Sequence, residues 1–263
     1  MSLTYIRHGE RPAFTKDANE IYMWEHSKRY KENKFDEPLT KLGKKESYLT
    51  GIKLCSLLNF NNINYVYSSP MTRCIQTSIA IITSIEKITG KKLRLRIEYS
   101  LCERKSLFYL NCMTFSDDKI VNNNNEAIDP NELIKNNIID KKLKFDYLKD
   151  QYKDFIDPTY KSYVNETSIN EERPIVAIIN FTETIDRIIT ENKNSIIVCH
   201  NSNPYIYLYY YLTKEKFNIN KLINLYEKLD GYKSLNFVSM FRKKNNNGDW
   251  NVVLEPQRII QKN

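Results

Sequence analysis

Apolar positions along this chain follow two rhythms. Short runs rich in β-branched and aromatic residues occur at Leu3 to Ile6, Tyr65 to Ser68, Leu93 to Ile97, Ser195 to Cys199, Phe237 to Phe241 and Val252 to Leu254, and these predict strands. Between them, apolar residues recur at helical spacing over about Gly43 to Leu58, Pro70 to Thr89, Pro174 to Asn192 and Pro204 to Leu212. Strands that alternate with helices predict an α/β fold: a three-layer sandwich with a mainly parallel central sheet and helices on both faces. From about Lys105 to Arg173 the alternation lapses. Asn122 to Asn125 form a low-complexity run there and tyrosines follow, so the stretch reads as a helical and loop insertion in a single domain spanning 1–263.

Composition narrows the class. With 263 residues and 41% hydrophobic content, the chain can bury one sizeable core. Met1 to Ile6 run directly into a strand, and no long apolar stretch with a charged leader occurs, so neither a secretion signal nor a membrane span is expected. The five cysteines are an odd set without Cys-x-x-Cys spacing, which fits reduced thiols and a cytoplasmic protein. A formal charge of +8 arises from 40 basic and 32 acidic side chains. The lysines are scattered rather than gathered into an arm, so they predict a solvated surface with some bias toward anionic substrates, and no nucleic-acid or membrane partner.

The chemistry concentrates at strand ends. In Thr4-Tyr5-Ile6-Arg7-His8-Gly9-Glu10-Arg11, a strand delivers an Arg-His pair into a glycine turn at its carboxyl end, where open α/β sheets place ligands. Arginine offers a planar fork of donors to phosphate oxygens, and a neutral imidazole beside it is nucleophilic near neutral pH. Together they suit phosphoryl transfer through a phosphohistidine. Two further segments occupy the same place after predicted strands. In Ser69-Pro70-Met71-Thr72-Arg73, Ser69 is expected to cap a helix whose first residue is Pro70, leaving Arg73 near its positive end. The strand Ile196 to Cys199 ends in His200, which can donate to a phosphate oxygen. Arg73 alone would read as a surface charge and His200 alone as an ordinary strand-end histidine. Three strand ends supplying this set together favour a phosphate pocket.

With these segments in hand, the sequence resembles the histidine phosphatase superfamily of phosphoglycerate-mutase-like enzymes. The resemblance lies in Arg7-His8-Gly9, Glu37-Pro38-Leu39-Thr40-Lys41-Leu42-Gly43, Ser69-Pro70 through Arg73 with Gln76-Thr77, and the strand ending at His200. Within it, Arg7-His8-Gly9-Glu10-Arg11 and Arg73-Cys74-Ile75-Gln76-Thr77 look most like the phosphatases that suppress T-cell receptor signalling. The resemblance implies that His8 is the nucleophile, that Arg7, Arg73 and His200 hold the phosphoryl oxygens, and that Arg11 and Asn201 contact substrate. It also implies a proton donor after the third strand, where Glu103 is the candidate and Glu98 and Glu10 are weaker alternatives. The scheme calls for no metal and no cofactor, and the three histidines, His8, His26 and His200, include no close pair at ligand spacing. His26 reads as a solvated or packing residue. A cysteine-phosphatase loop needs Arg six positions after Cys, and no cysteine here has one.

Departures from the family sharpen the reading. Arg11 stands where typical phosphoglycerate mutases carry Ser or Thr, which argues against mutase activity. Asn201 stands where the secreted acid phosphatases carry an aspartic acid, and an amide cannot supply a proton. The expected function is therefore a phosphatase acting on a phosphorylated small molecule or phosphoprotein. A mutase and a non-catalytic phosphoprotein-binding domain are the alternatives, and homodimer formation is left open.

Overall fold

The computed structural model describes residues 1–102, 114–116, 119–121, 150–165, 174–200, 208–209, 211–213, 237–243 and 250–258. Six strands form the central sheet: β1 (Ser2–Arg7), β2 (Tyr65–Ser68), β3 (Arg94–Ile97), β6 (Asn194–Cys199), β7 (Phe237–Lys243) and β8 (Trp250–Arg258), in the order β3-β2-β6-β1-β7-β8. The first four in that order run parallel, while β7 and β8 add an antiparallel edge. The sheet is thus mainly parallel, as its apolar strands require. Pro256 lies within β8, where a missing backbone donor is tolerated because β8 is an edge strand.

Side chains alternate between the faces of the sheet. On β1, Ile6 points into a core with Val66, Leu95, Ile196 and Val198. That core is covered by α3 (Lys41–Leu57) and α4 (Thr72–Thr89) through Leu54, Ile75, Ile81 and Ile85. Leu3 and Tyr5 point the other way, toward Tyr67, Ile197 and Cys199 under Phe181, Ile185 and Ile188 of α5 (Pro174–Glu191). The result is helix, sheet and helix in layers. The α3 and α4 helices meet closely at Gly51, where a Cβ would lie 1.9 Å from Ser84 Oγ. No helix among the described residues is long and apolar enough to cross a membrane.

Several elements depart from the sequence expectation. Helices α1 (Ala18–Glu25) and α2 (Lys28–Asn33) fill a segment without apolar periodicity; the Asp17 carboxylate caps the first and the Ser27 hydroxyl the second. In the expected helical and loop insertion, two short strands, β4 (Thr114–Ser116) and β5 (Lys119–Val121), pair antiparallel. The end of that stretch serves the main sheet: Leu95 N donates to Phe155 O at 2.9 Å and Asp157 N to Leu95 O at 2.8 Å. Arg96 fixes the same edge by an ion pair with Asp157 at 2.9 Å. The helix expected from Pro204 is described only at 208–209 and 211–213.

Candidate active site

The parallel register sets the site. Arg7 pairs with Cys199 and Ser68 with Val198, so β1, β2 and β6 end at one level. The ladder continues one step further, with His8 N donating to Cys199 O and Ser69 N to Val198 O, both at 3.0 Å. Consequently His8, Ser69 and His200 emerge side by side at the carboxyl edge. Arg7, His8, Arg73 and His200 are each no more than 2% exposed.

The tautomer of His8 follows from its partner. Its Nδ1 lies 2.8 Å from Gly9 O, and a carbonyl only accepts, so Nδ1 carries the proton and Nε2 the lone pair. Gly9 makes this possible by close approach. Its N–H donates to Thr77 Oγ1 at 3.0 Å, and a Cβ there would lie 2.7 Å from Gly43 O. Gly43 returns the constraint, since its own Cβ would sit 2.2 Å from Glu10 O. Thr40 closes the loop: it caps α3 through Gly43 N at 3.0 Å and donates its hydroxyl to Glu10 Oε1 at 3.0 Å. The Glu37-to-Gly43 run is therefore the packing partner of the Arg-His-Gly turn.

Around His200 the geometry is equally specific. Arg73 Nη2 lies 3.3 Å from its Nδ1, and since guanidinium only donates, Nε2 carries the proton and donates to Ser69 Oγ at 2.7 Å. Tyr5 Oη donates to the His200 carbonyl at 3.1 Å. The rings of His8 and His200 stand edge to face with centroids 5.5 Å apart. One local expectation is corrected. Met71, not Ser69, occupies the N-cap of α4, and the helix begins at Thr72 rather than Pro70, because the Ser69 hydroxyl is drawn to His200 and to Met71 N at 3.3 Å.

Arg11 lies at the rim of this group. Its guanidinium is held by Glu37 at 2.7 Å and stacks over the Phe14 ring at 4.6 Å, while that of Arg7 lies 6.0 Å from the same ring. Of the alternative proton donors, Glu98 is committed elsewhere: it accepts from Ser100 N, Tyr160 Oη, Ser162 Oγ and Tyr163 N at 2.7 to 3.1 Å. Glu10 accepts from Thr40. Glu103 and Asn201 lie outside the described residues. His26 stacks on Tyr22 at 3.9 Å at an exposed position.

Sequence reasoning missed Asp36, which is buried and accepts from Thr72 N at 2.7 Å, Thr72 Oγ1 at 2.8 Å and Arg29 Nη2 at 2.6 Å. Its only local signal is its place beside the Glu37-Pro38-Leu39-Thr40 run.

The electrostatics favour a neutral nucleophile. Burial first, then the charges of Arg73 and Arg7, hold the His8 pKa well below 6.5. Burial pushes Asp36 up, against the opposing hydrogen bonds from Thr72. Among the described residues, no three His, Cys, Asp or Glu side chains gather where they could hold a metal ion. The assembly gathers the buried imidazoles of His8 and His200 with the buried guanidiniums of Arg7 and Arg73, a set of groups chemically suited to an oxyanion.

No protein-family model matches the chain, and no curated protein sequence matches it either. Solved structures do. An ecdysone phosphate phosphatase from Bombix mori, determined in complex with tungstate, is similar over 100% of this chain and 95% of that one, with a TM-score of 0.56 and 17% identity. A mycobacterial glucosyl-3-phosphoglycerate phosphatase is similar over 96% of this chain and 97% of that one, with a TM-score of 0.48 and 12% identity.

Proposed function

This chain has the fold of the histidine phosphatase superfamily, and from that premise we propose that it hydrolyses phosphomonoesters through a phosphohistidine formed on His8. The observation that carries the reading is that buried Arg7, His8 and His200 at the ends of adjacent strands β1 and β6 meet buried Arg73 from the first turn of α4. The His8 Nε2 lone pair attacks phosphorus and the ester oxygen leaves. Water then cleaves the P–N bond, returning His8 and releasing inorganic phosphate. Arg7 and Arg73 meet the charge on the phosphoryl oxygens, so the scheme asks for no metal ion. The proton on His200 Nε2, now given to Ser69, turns to a phosphoryl oxygen when the anion enters. Arg11 contributes from the rim, Asn201 adds a substrate contact, and Glu103 protonates the leaving oxygen before taking a proton from water.

The substrate is a phosphorylated small molecule or a phosphoprotein, in keeping with the suppressor branch the sequence resembles. The thiols of Cys55, Cys74, Cys102 and Cys199 fit a reducing, cytoplasmic setting. The test is turnover of an aryl phosphate by the wild-type protein, with acid-labile phosphate trapped on the chain during the reaction. His8→Ala should abolish both while the folded circular-dichroism spectrum persists. Undiminished hydrolysis in that variant would overturn the assignment.

A further inference from the structure

We propose that Asp36 is a positioning residue for the phosphate pocket: it caps α4 from a distant loop and so sets Arg73, while also tying helix α2 to the same point. The inference rests on the phosphatase reading of the site. Helix α4 begins with Met71 at its N-cap, which makes no side-chain capping bond. The Asp36 carboxylate takes over that duty from a loop 36 residues away, receiving both the backbone N–H and the hydroxyl of Thr72. The preceding residue takes part as well, since Phe35 O accepts from Arg73 Nη1 at 3.1 Å. Two successive loop residues thus grip the first two residues of α4, and the second of these is the arginine whose other nitrogen meets His200.

A buried carboxylate is costly to keep, and burial raises the proton affinity of Asp36. Its donors, together with the positive helix terminus and the nearby charge of Arg73, offset that cost in one position only. The Oδ2 atom also accepts from Arg29 at 2.6 Å, so α2 is anchored to the carboxylate that caps α4. The two arms are separable. The Thr72 arm controls where Arg73 stands, whereas the Arg29 arm controls how α2 is held.

Inorganic phosphate binding, measured by isothermal titration alongside aryl phosphate kinetics, separates them. Asp36→Ala should weaken phosphate by about tenfold or more and raise KM with a smaller change in kcat, because a misplaced guanidinium loses its fit to the anion. Asp36→Asn keeps an oxygen for Thr72 N and should lose about threefold. Arg29→Gln should lower Tm yet bind phosphate within about twofold of wild type. Should Asp36→Ala not fold, the contrast between Asp36→Asn and Arg29→Gln carries the test. Folded Asp36 variants with wild-type phosphate affinity, lowered only in Tm, would overturn the positioning role and leave the phosphatase reading intact. A wild-type protein that neither binds phosphate nor turns over the ester would overturn both.

Discussion

The imidazoles of His8 and His200 face each other edge to face, 5.5 Å apart between ring centroids, although 192 positions separate them in sequence. Strand pairing is the cause. Arg7 and Cys199 are register partners in adjacent parallel strands, so the residue that follows each is delivered to the same edge. A one-residue slip of β6 would turn His200 to the opposite face and dissolve the site.

Because burial and the neighbouring arginines depress the His8 pKa, its ring stays neutral as pH falls below 6.5. An NMR titration of the imidazole nitrogens should show His8 holding the Nδ1–H tautomer down to a midpoint beneath that value. Stability follows the same sign: above pH 6.5 folded and unfolded chains both carry neutral His8, so the full stability is present. Below it the unfolded chain binds a proton that folded His8 refuses, and stability is lost as pH falls toward the depressed value. A His8 midpoint at or above 6.5 would contradict the desolvated site.

Arg73→Lys should be far from conservative. The guanidinium reaches Phe35 O with Nη1 and His200 with Nη2, and a single ammonium cannot span both. A fall in kcat/KM of about 10² to 10³ is expected, with inorganic phosphate inhibition weakened in parallel. Near-wild-type kinetics would show that Arg73 is not a phosphoryl contact.

The strand ends bearing this site were legible because a strand running into Arg-His-Gly, or an apolar strand closing on His200, announces itself locally. The α1 and α2 helices were not, since α1 fully buries only Trp24 and α2 buries no residue. Without an apolar stripe, only the caps at Asp17 and Ser27 mark them. The last strand, expected over Val252 to Leu254, runs from Trp250 through Pro256 to Arg258, because β8 is an edge of the sheet where proline is tolerated. Asp36 escaped notice for a different reason: its partners in α4 are remote in sequence, and a lone acidic residue in a loop carries no sign of burial.

Gly43→Ala tests the packing that shapes the histidine turn. The new methyl carbon would stand 2.2 Å from Glu10 O and 2.7 Å from Glu10 N, backbone atoms that cannot swing aside. A loss of about 2 kcal/mol or more is expected, read as a lower Tm, together with impaired turnover because Glu10 lies two residues from His8. Gly90→Ala is the control. Its φ of 71° makes alanine strained, yet nothing lies within 4 Å of the added carbon, so it should cost only about 1 kcal/mol and leave activity intact.

The proton donor is best tested through the leaving group. If Glu103 protonates the departing oxygen, Glu103→Gln should slow an alkyl phosphate by about 10² to 10⁴, because an alkoxide leaves poorly without a proton. The same variant should cost much less with p-nitrophenyl phosphate, whose leaving group is stable as an anion. Glu98→Gln should behave differently, since its carboxylate holds Tyr160, Ser162 and the backbone at Tyr163. It should lower Tm and reduce both substrates by similar factors. If Glu98→Gln showed the steep leaving-group dependence and Glu103→Gln showed none, the acid would have to be reassigned.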